Sequence, residues 1–181
     1  MNIDMTRRGG AIGLSVAECI DKRMGTWRVR TDMQPDTDAE TGEQRGVTFI
    51  ETEFAYKPSM EEVKEFVIGV IDAQTDAKIL NGYQFTPDGA EEPVTVWLSK
   101  ESQTNFSEAH RLQLVPVKFK LNEDENRQPI YHTFETFGEL DRFYKGGVAW
   151  INQCLNEGWQ QKDSFDWTPY EAALESNGEM L

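Results

Sequence analysis

A chain of 181 residues, 38% of them hydrophobic and 28% charged, is long enough to bury one well-formed core, and no apolar run approaches the roughly 18 residues a membrane-crossing helix needs. Its formal net charge of −14 disfavours nucleic acid as a ligand of the body, because a duplex-binding face must carry the opposite field. Two cysteines, Cys19 and Cys154, fit no metal-knuckle spacing and are expected to stay reduced, so neither a metal nor another cofactor is expected.

Residues 1–14 (MNIDMTRRGGAIGL) have three glycines and no periodicity, which predicts an N-terminal arm ahead of one domain over 15–181. The opening residues lack the basic start and apolar core of a secretory signal, so a product made in the cytoplasm is expected. Residues 1–31 hold six basic side chains (Arg7, Arg8, Lys22, Arg23, Arg28, Arg30) against three acidic ones, in an otherwise acidic chain. Arg7 and Arg8 are therefore candidates for docking onto an acidic neighbour or onto another copy. Ser15 with Glu18 has the form of a capping box, and Val16, Cys19, Ile20 and Met24 give a helical stripe, predicting a short helix before Gly25.

Residues 26–33 alternate Trp27, Val29, Thr31 and Met33 with Arg28, Arg30 and Asp32, the period of a half-buried strand. Residues 34–46 (QPDTDAETGEQRG) read as a polar hairpin loop. They miss the calcium-loop pattern, with glycine at the seventh place and valine at the twelfth, where a bidentate glutamate is required. Residues 47–56 (VTFIETEFAY) predict the returning strand, with Glu51 and Glu53 meeting Arg28 and Arg30 across the pair. Glu51 and Glu53 are not a glycosidase couple, because residues two apart on a strand point the same way rather than across a cleft.

The most legible stretch is 59–106. Ser59 and Glu62 form a capping box, apolar residues recur from Met60 to Ile71 at helical spacing, and Asn81-Gly82 ends the helix. Residues 83–86 and 94–98 predict two short strands around a turn at Pro87-Asp88-Gly89, and Ser99 starts a second helix reaching Leu112. Residues 114–121 predict a strand that Pro116 makes an edge strand or delays, and residues 129–134 the strand that returns. His132 shares a face with Ile130 and Phe134 and reads as a hydrogen-bonded structural histidine; His110 reads as a surface helix residue.

Thr136 with Glu139 opens a long helix over 137–157, with Leu140, Phe143, Tyr144, Val148, Ile151 and Leu155 as its apolar stripe. Gly146-Gly147 inside it predicts close approach of another backbone, and Gly158 a stop. Cys154 falls on the apolar side as a small buried hydrophobe. Beyond it, Trp159, Phe165, Trp167 and Tyr170 crowd into twelve positions, with Thr168-Pro169 and Glu171 opening a further helical turn. Such a cluster must be buried, over the domain's own core or against a partner, and these four aromatics are candidate partner-binding residues.

The runs AQTDAKILNGYQF, VWLSKESQTNF, LVPVKFKL and IYHTF resemble a small domain of unknown function found in bacteriophage and prophage virion, tail and tail-fibre-associated proteins. The resemblance covers roughly Val63 to Trp159, within residues 59–159. It implies a virion location and no catalytic motif, since that family has no assigned chemistry.

The expectation is an α+β domain, an antiparallel sheet of short strands with three main helices packed mostly on one face. Its dispersed histidines, cysteines and carboxylates supply no convergent catalytic set, so no catalytic residue is assigned. The function expected is non-enzymatic: a phage or prophage structural protein, tail- or fibre-associated, homo-oligomeric or bound to other virion proteins, without nucleic acid or membrane. The alternatives are a fibre-assembly chaperone and a carbohydrate-binding module using Trp97, Trp150, Trp159 and Trp167.

Overall fold

The computed structural model of the chain describes residues 3–176. They form two compact units, one holding the chain up to Ala73 together with the stretch from Gln161 on, the other Gln74–Gln160. The class is α+β, with antiparallel sheets of short strands and, among the described residues, four helices, the fourth a short one at the C-terminal side.

The first unit is built on a four-stranded antiparallel sheet ordered β1 (Arg8–Gly10), β4 (Gln44–Phe54), β3 (Thr26–Thr37), β2 (Ala17–Asp21). Alternation sends Ala17, Trp27, Val29, Ile50 and Phe54 to one face, where Val63, Phe66, Val67, Val70 and Ile71 of helix α1 (Met60–Asn81) join them in one core. Helix α4 (Thr168–Ser176) adds Tyr170, Ala173 and Leu174 to that core. Helix α1 starts where the capping box requires: Glu62 N–H donates to Ser59 Oγ at 3.3 Å and Ser59 N–H to Glu62 Oε2 at 2.8 Å.

The register of β3 with β4 sets Arg28 opposite Glu53 and Arg30 opposite Glu51, as the alternation predicts. On this outer face Arg30 is only 2% exposed. It donates to Ser15 O at 2.8 Å and to Glu18 Oε1 at 2.5 Å, stands 3.4 Å from Glu51 Oε2 and covers the Phe49 ring at 5.1 Å. Glu51 also takes Arg8 at 3.2 Å and Arg28 at 3.4 Å. A charge so deeply buried is tolerated because both terminal nitrogens donate to acceptors and the Glu51 carboxylate stands opposite Nε, which itself makes no hydrogen bond.

Three expectations are corrected in this unit. Residues 17–21 form β2 rather than a helix, because β3 offers an unpaired edge and Glu18 spends its carboxylate on Arg30 instead of capping. The described part of the expected arm, residues 3–14, is built in: Arg8–Gly10 pairs with β4, and Ile3 and Met5 pack against the core. The β3–β4 hairpin is longer than read, its loop shrunk to residues 38–43, where Asp38 accepts from the N–H groups of Glu40 and Thr41 at 2.7 Å.

The second unit has two antiparallel hairpins, β5 (Tyr83–Phe85) with β6 (Val94–Val96) and β7 (Val117–Glu123) with β8 (Pro129–Phe134). Strand β7 starts just after Pro116, whose preceding peptide bond is cis. Helices α2 (Lys100–Arg111) and α3 (Phe137–Asp163) complete it. Its core is aromatic: Phe85, Phe106, Phe119 and Phe134 all meet Phe143, with ring centroids 4.6 to 6.3 Å apart. Ser99 caps α2, accepting from Ser102 N–H at 3.1 Å.

Helix α3 runs past Gly158, which is a contact rather than a stop: a Cβ there would lie 2.5 Å from Thr75 Oγ1. Gly146 and Gly147 answer to a ring rather than to another backbone. A Cβ on Gly146 would meet the Tyr83 ring at 2.9 Å, and Tyr83 donates its hydroxyl proton to Phe143 O at 2.5 Å.

Candidate protein-binding face on helix α3

One side of α3 (Leu140, Phe143, Gly147, Cys154, Gly158) is buried. Beside it, Tyr144, Val148, Ile151, Leu155 and Trp159 recur at intervals of three and four residues, which keeps them in one line along the helix. Tyr144, Ile151 and Leu155 are half-buried and pack against the unit's own core, while Val148 is 38% exposed and Trp159 53%. The exposed positions around the line include Ala149, Asn152, Gln153 and Asn156. Residues 146–156 (GGVAWINQCLN) carry no charge, in a chain that is 28% charged.

At the N-terminal part of this line a groove of about 210 Å³ opens between α2 and α3. Tyr83, Leu98, Phe106, Phe143 and Gly147 are its buried lining, with Gln103, Ser107, Tyr144, Val148 and Ile151 less buried around them. Gly147 presents no side chain to it, and a Cβ there would rest in ordinary contact with Tyr83 and Leu98. Two of the polar groups around it are engaged, Gln103 Nε2 donating to Leu98 O at 2.7 Å and the Tyr83 hydroxyl to Phe143 O, and burial pushes the Tyr83 phenol above its ordinary range. A lining of this kind suits apolar or aromatic groups and offers no charge to a polar ligand.

His110 stands at the edge of this region, stacked on Tyr144 at 4.2 Å, with Nε2 2.9 Å from Asp141 Oδ1. Ser107 lies one helical turn before it, but among the described residues no hydrogen bond joins the two, so no nucleophile–base pair is formed. His132 Nε2 lies 2.8 Å from Glu139 Oε1, a carboxylate only 4% exposed that also accepts from Asp88 N–H at 2.8 Å. Each histidine thus has a single acidic partner. Among the described residues no group of three His, Cys, Asp or Glu could hold a metal.

Several surface carboxyls sit below the usual carboxylate range. Lys145, and after it His110, holds Asp141 down; Lys78 does so for Glu157, Arg111 for Glu108 and the Tyr56 hydroxyl for Glu62. The folded chain therefore takes up these protons less readily than the unfolded chain. The stability they supply is complete above the unfolded value near pH 4 and is lost as pH falls through the lowered folded values. Denaturant titrations should agree between pH 7 and about 5 and weaken below about 4. Undiminished stability down to about pH 2.5 would contradict these pairings.

The candidate contact residues separate. Arg7 is spent inside its unit, pairing with Asp32 and donating to Thr48 Oγ1 at 3.0 Å, and Arg8 is spent on Glu51. Tyr170 is 4% exposed and donates to Arg30 O at 2.8 Å. Phe165 and Trp167, 4.5 Å apart, pack against the same core, so these three aromatics are together and cover their own unit. Helix α4 starts one residue earlier than its predicted cap: Tyr170 and Glu171 N–H donate to Trp167 O. Trp159 belongs to the other unit and faces solvent. The feature that sequence reasoning passed over is the charge gap at 146–156, which was in plain view. No family model matches the chain, and neither does a curated protein or a solved structure.

Proposed function

We propose that this protein is a non-enzymatic structural component of a bacteriophage or prophage virion, tail- or tail-fibre-associated, made in the bacterial cytoplasm and working by protein–protein assembly. The observation that carries this reading is the uncharged, partly apolar side of α3 beside an apolar groove. Depletion of charge with enrichment of aromatic residues is the compositional mark of an interface centre. The same residues fall inside the stretch that resembles the phage domain, and the isolated His110–Asp141 and His132–Glu139 pairs lack the nucleophile a hydrolase needs. Its partners are other virion proteins or copies of itself, and the charge of −14 speaks against nucleic acid.

The test is mass spectrometry of particles purified away from free protein. Peptides of this chain in finished particles are the expected result. Abundant protein in the producing cells with none in the particles contradicts virion membership and favours the assembly chaperone.

A further inference from the structure

We infer that the α3 face is self-complementary and that its occupant is a second copy of this chain, the Trp159 indole of each copy entering the α2–α3 groove of the other. The inference deepens the assembly reading, on which it rests, by naming the partner.

A knob and a hole lie on one line of one helix. Trp159 is the most exposed aromatic of the line, and the groove opens beside Val148 and Ile151. From Val148 to Trp159 the helix advances roughly 16 Å at 1.5 Å per residue. Turning a second copy by two-fold symmetry, with the α3 helices antiparallel, brings each Trp159 opposite the other copy's Val148 and sets both Leu155 side chains near the axis. Both contacts form at once, the condition for a closed, isologous dimer. A parallel pairing would set indole against indole and leave both grooves empty.

Size and charge agree. A cavity of about 150 Å³ takes a benzene ring, so the groove of about 210 Å³ suits the larger indole. Two copies each carrying −14 repel over most of their surfaces. They can approach closely only where neither presents charge, and the exposed positions of 146–156, Val148, Ala149, Asn152, Gln153 and Asn156, carry none. Uncharged Ala149, Asn152 and Asn156 flank its middle, and the charges at its two ends, Lys145 and Glu157, are already paired with Asp141 and Lys78.

Sedimentation velocity of the full chain from about 1 to about 100 µM tests the proposal, in the range where a contact of a few anchors is populated. A concentration-dependent dimer that tightens as salt is added is expected, because salt screens the repulsion. Trp159→Ala should weaken dimerisation by about a thousandfold, since each dimer loses two anchors of about thirtyfold each. Val148→Glu should leave a monomer, and thermal melts of both variants should match the parent at dilutions where the parent is itself monomeric, as both side chains are exposed. A parent that stays monomeric at about 100 µM overturns the proposal, as does a dimer indifferent to both changes. A monomer found in particles would sink the dimer and spare the virion reading; a dimer missing from particles would do the reverse.

Discussion

Gly82→Ala is expected to cost the fold about 3–5 kcal/mol, a large part of the stability of an ordinary domain. Gly82 ends α1 with φ at +83°, a conformation that carries a penalty of about 1–2 kcal/mol for any residue with a Cβ. Space decides the rest. A Cβ there would fall 1.7 Å from Val96 O and 2.5 Å from Val96 C, both backbone atoms of the strand paired with β5. The β5–β6 hairpin would have to move away from the helix end, breaking the bond from Leu98 N–H to Leu80 O. Gly89 is the internal control, at φ +79° with nothing within 4 Å of its Cβ position. Gly89→Ala should lose only the conformational part, about 1–2 kcal/mol. Equal losses in chemical denaturation would refute the role given to the Val96 contact.

Arg30→Ala is expected to cost about 3–5 kcal/mol through the first unit. The change strands the Ser15 carbonyl and the Glu18 carboxylate, leaves Glu51 to Arg8 and Arg28 alone, and uncovers the Phe49 ring. Arg30→Lys should recover less than half, because one ammonium cannot fork to Ser15 O, Glu18 and Glu51 together. Denaturation curves for the two variants check this; a lysine variant as stable as the parent would mean that charge alone matters there.

Much of the fold was legible because its signals are local. The Ser59–Glu62 box and Asn81-Gly82 fix both ends of α1, and the alternation of Arg28, Arg30, Glu51 and Glu53 fixes the β3–β4 register. Residues 15–24 failed for the opposite reason. Their spacing satisfies both a helix and a strand, and the choice is made by Arg30, which claims Glu18 from another strand. Strand β1 is Arg-Gly-Gly, without a pattern to read, and it lies where bare backbones can touch: a Cβ on Gly46 would meet Gly10 O at 2.5 Å. The two cores were not separable in sequence, because α1 gives Val63 to Ile71 to one and Ile79 to the other along an unbroken helix.

The binding face was legible in part. Trp159 stood out as an aromatic near the C-terminus, but so did Phe165, Trp167 and Tyr170, and type alone cannot tell an anchor from a core residue. What separates them is tertiary. Tyr170 meets Arg30 O, far away in sequence, whereas Trp159 continues the line of Val148 and Leu155. The groove could not be read, since it is framed by residues from β5, α2 and α3.

The most direct test of an adhesive face that reciprocates is a mixture of two crippled chains. Trp159→Ala keeps the hole and loses the knob, while Val148→Glu keeps the knob and spoils the hole. Each alone should sediment as a monomer, and mixing them should give a heterodimer held by the one intact contact. If the mixture stays monomeric while the parent dimerises, the two features do not meet across the dimer; if each variant alone dimerises as the parent does, helix α3 is not the surface by which this protein holds its partner.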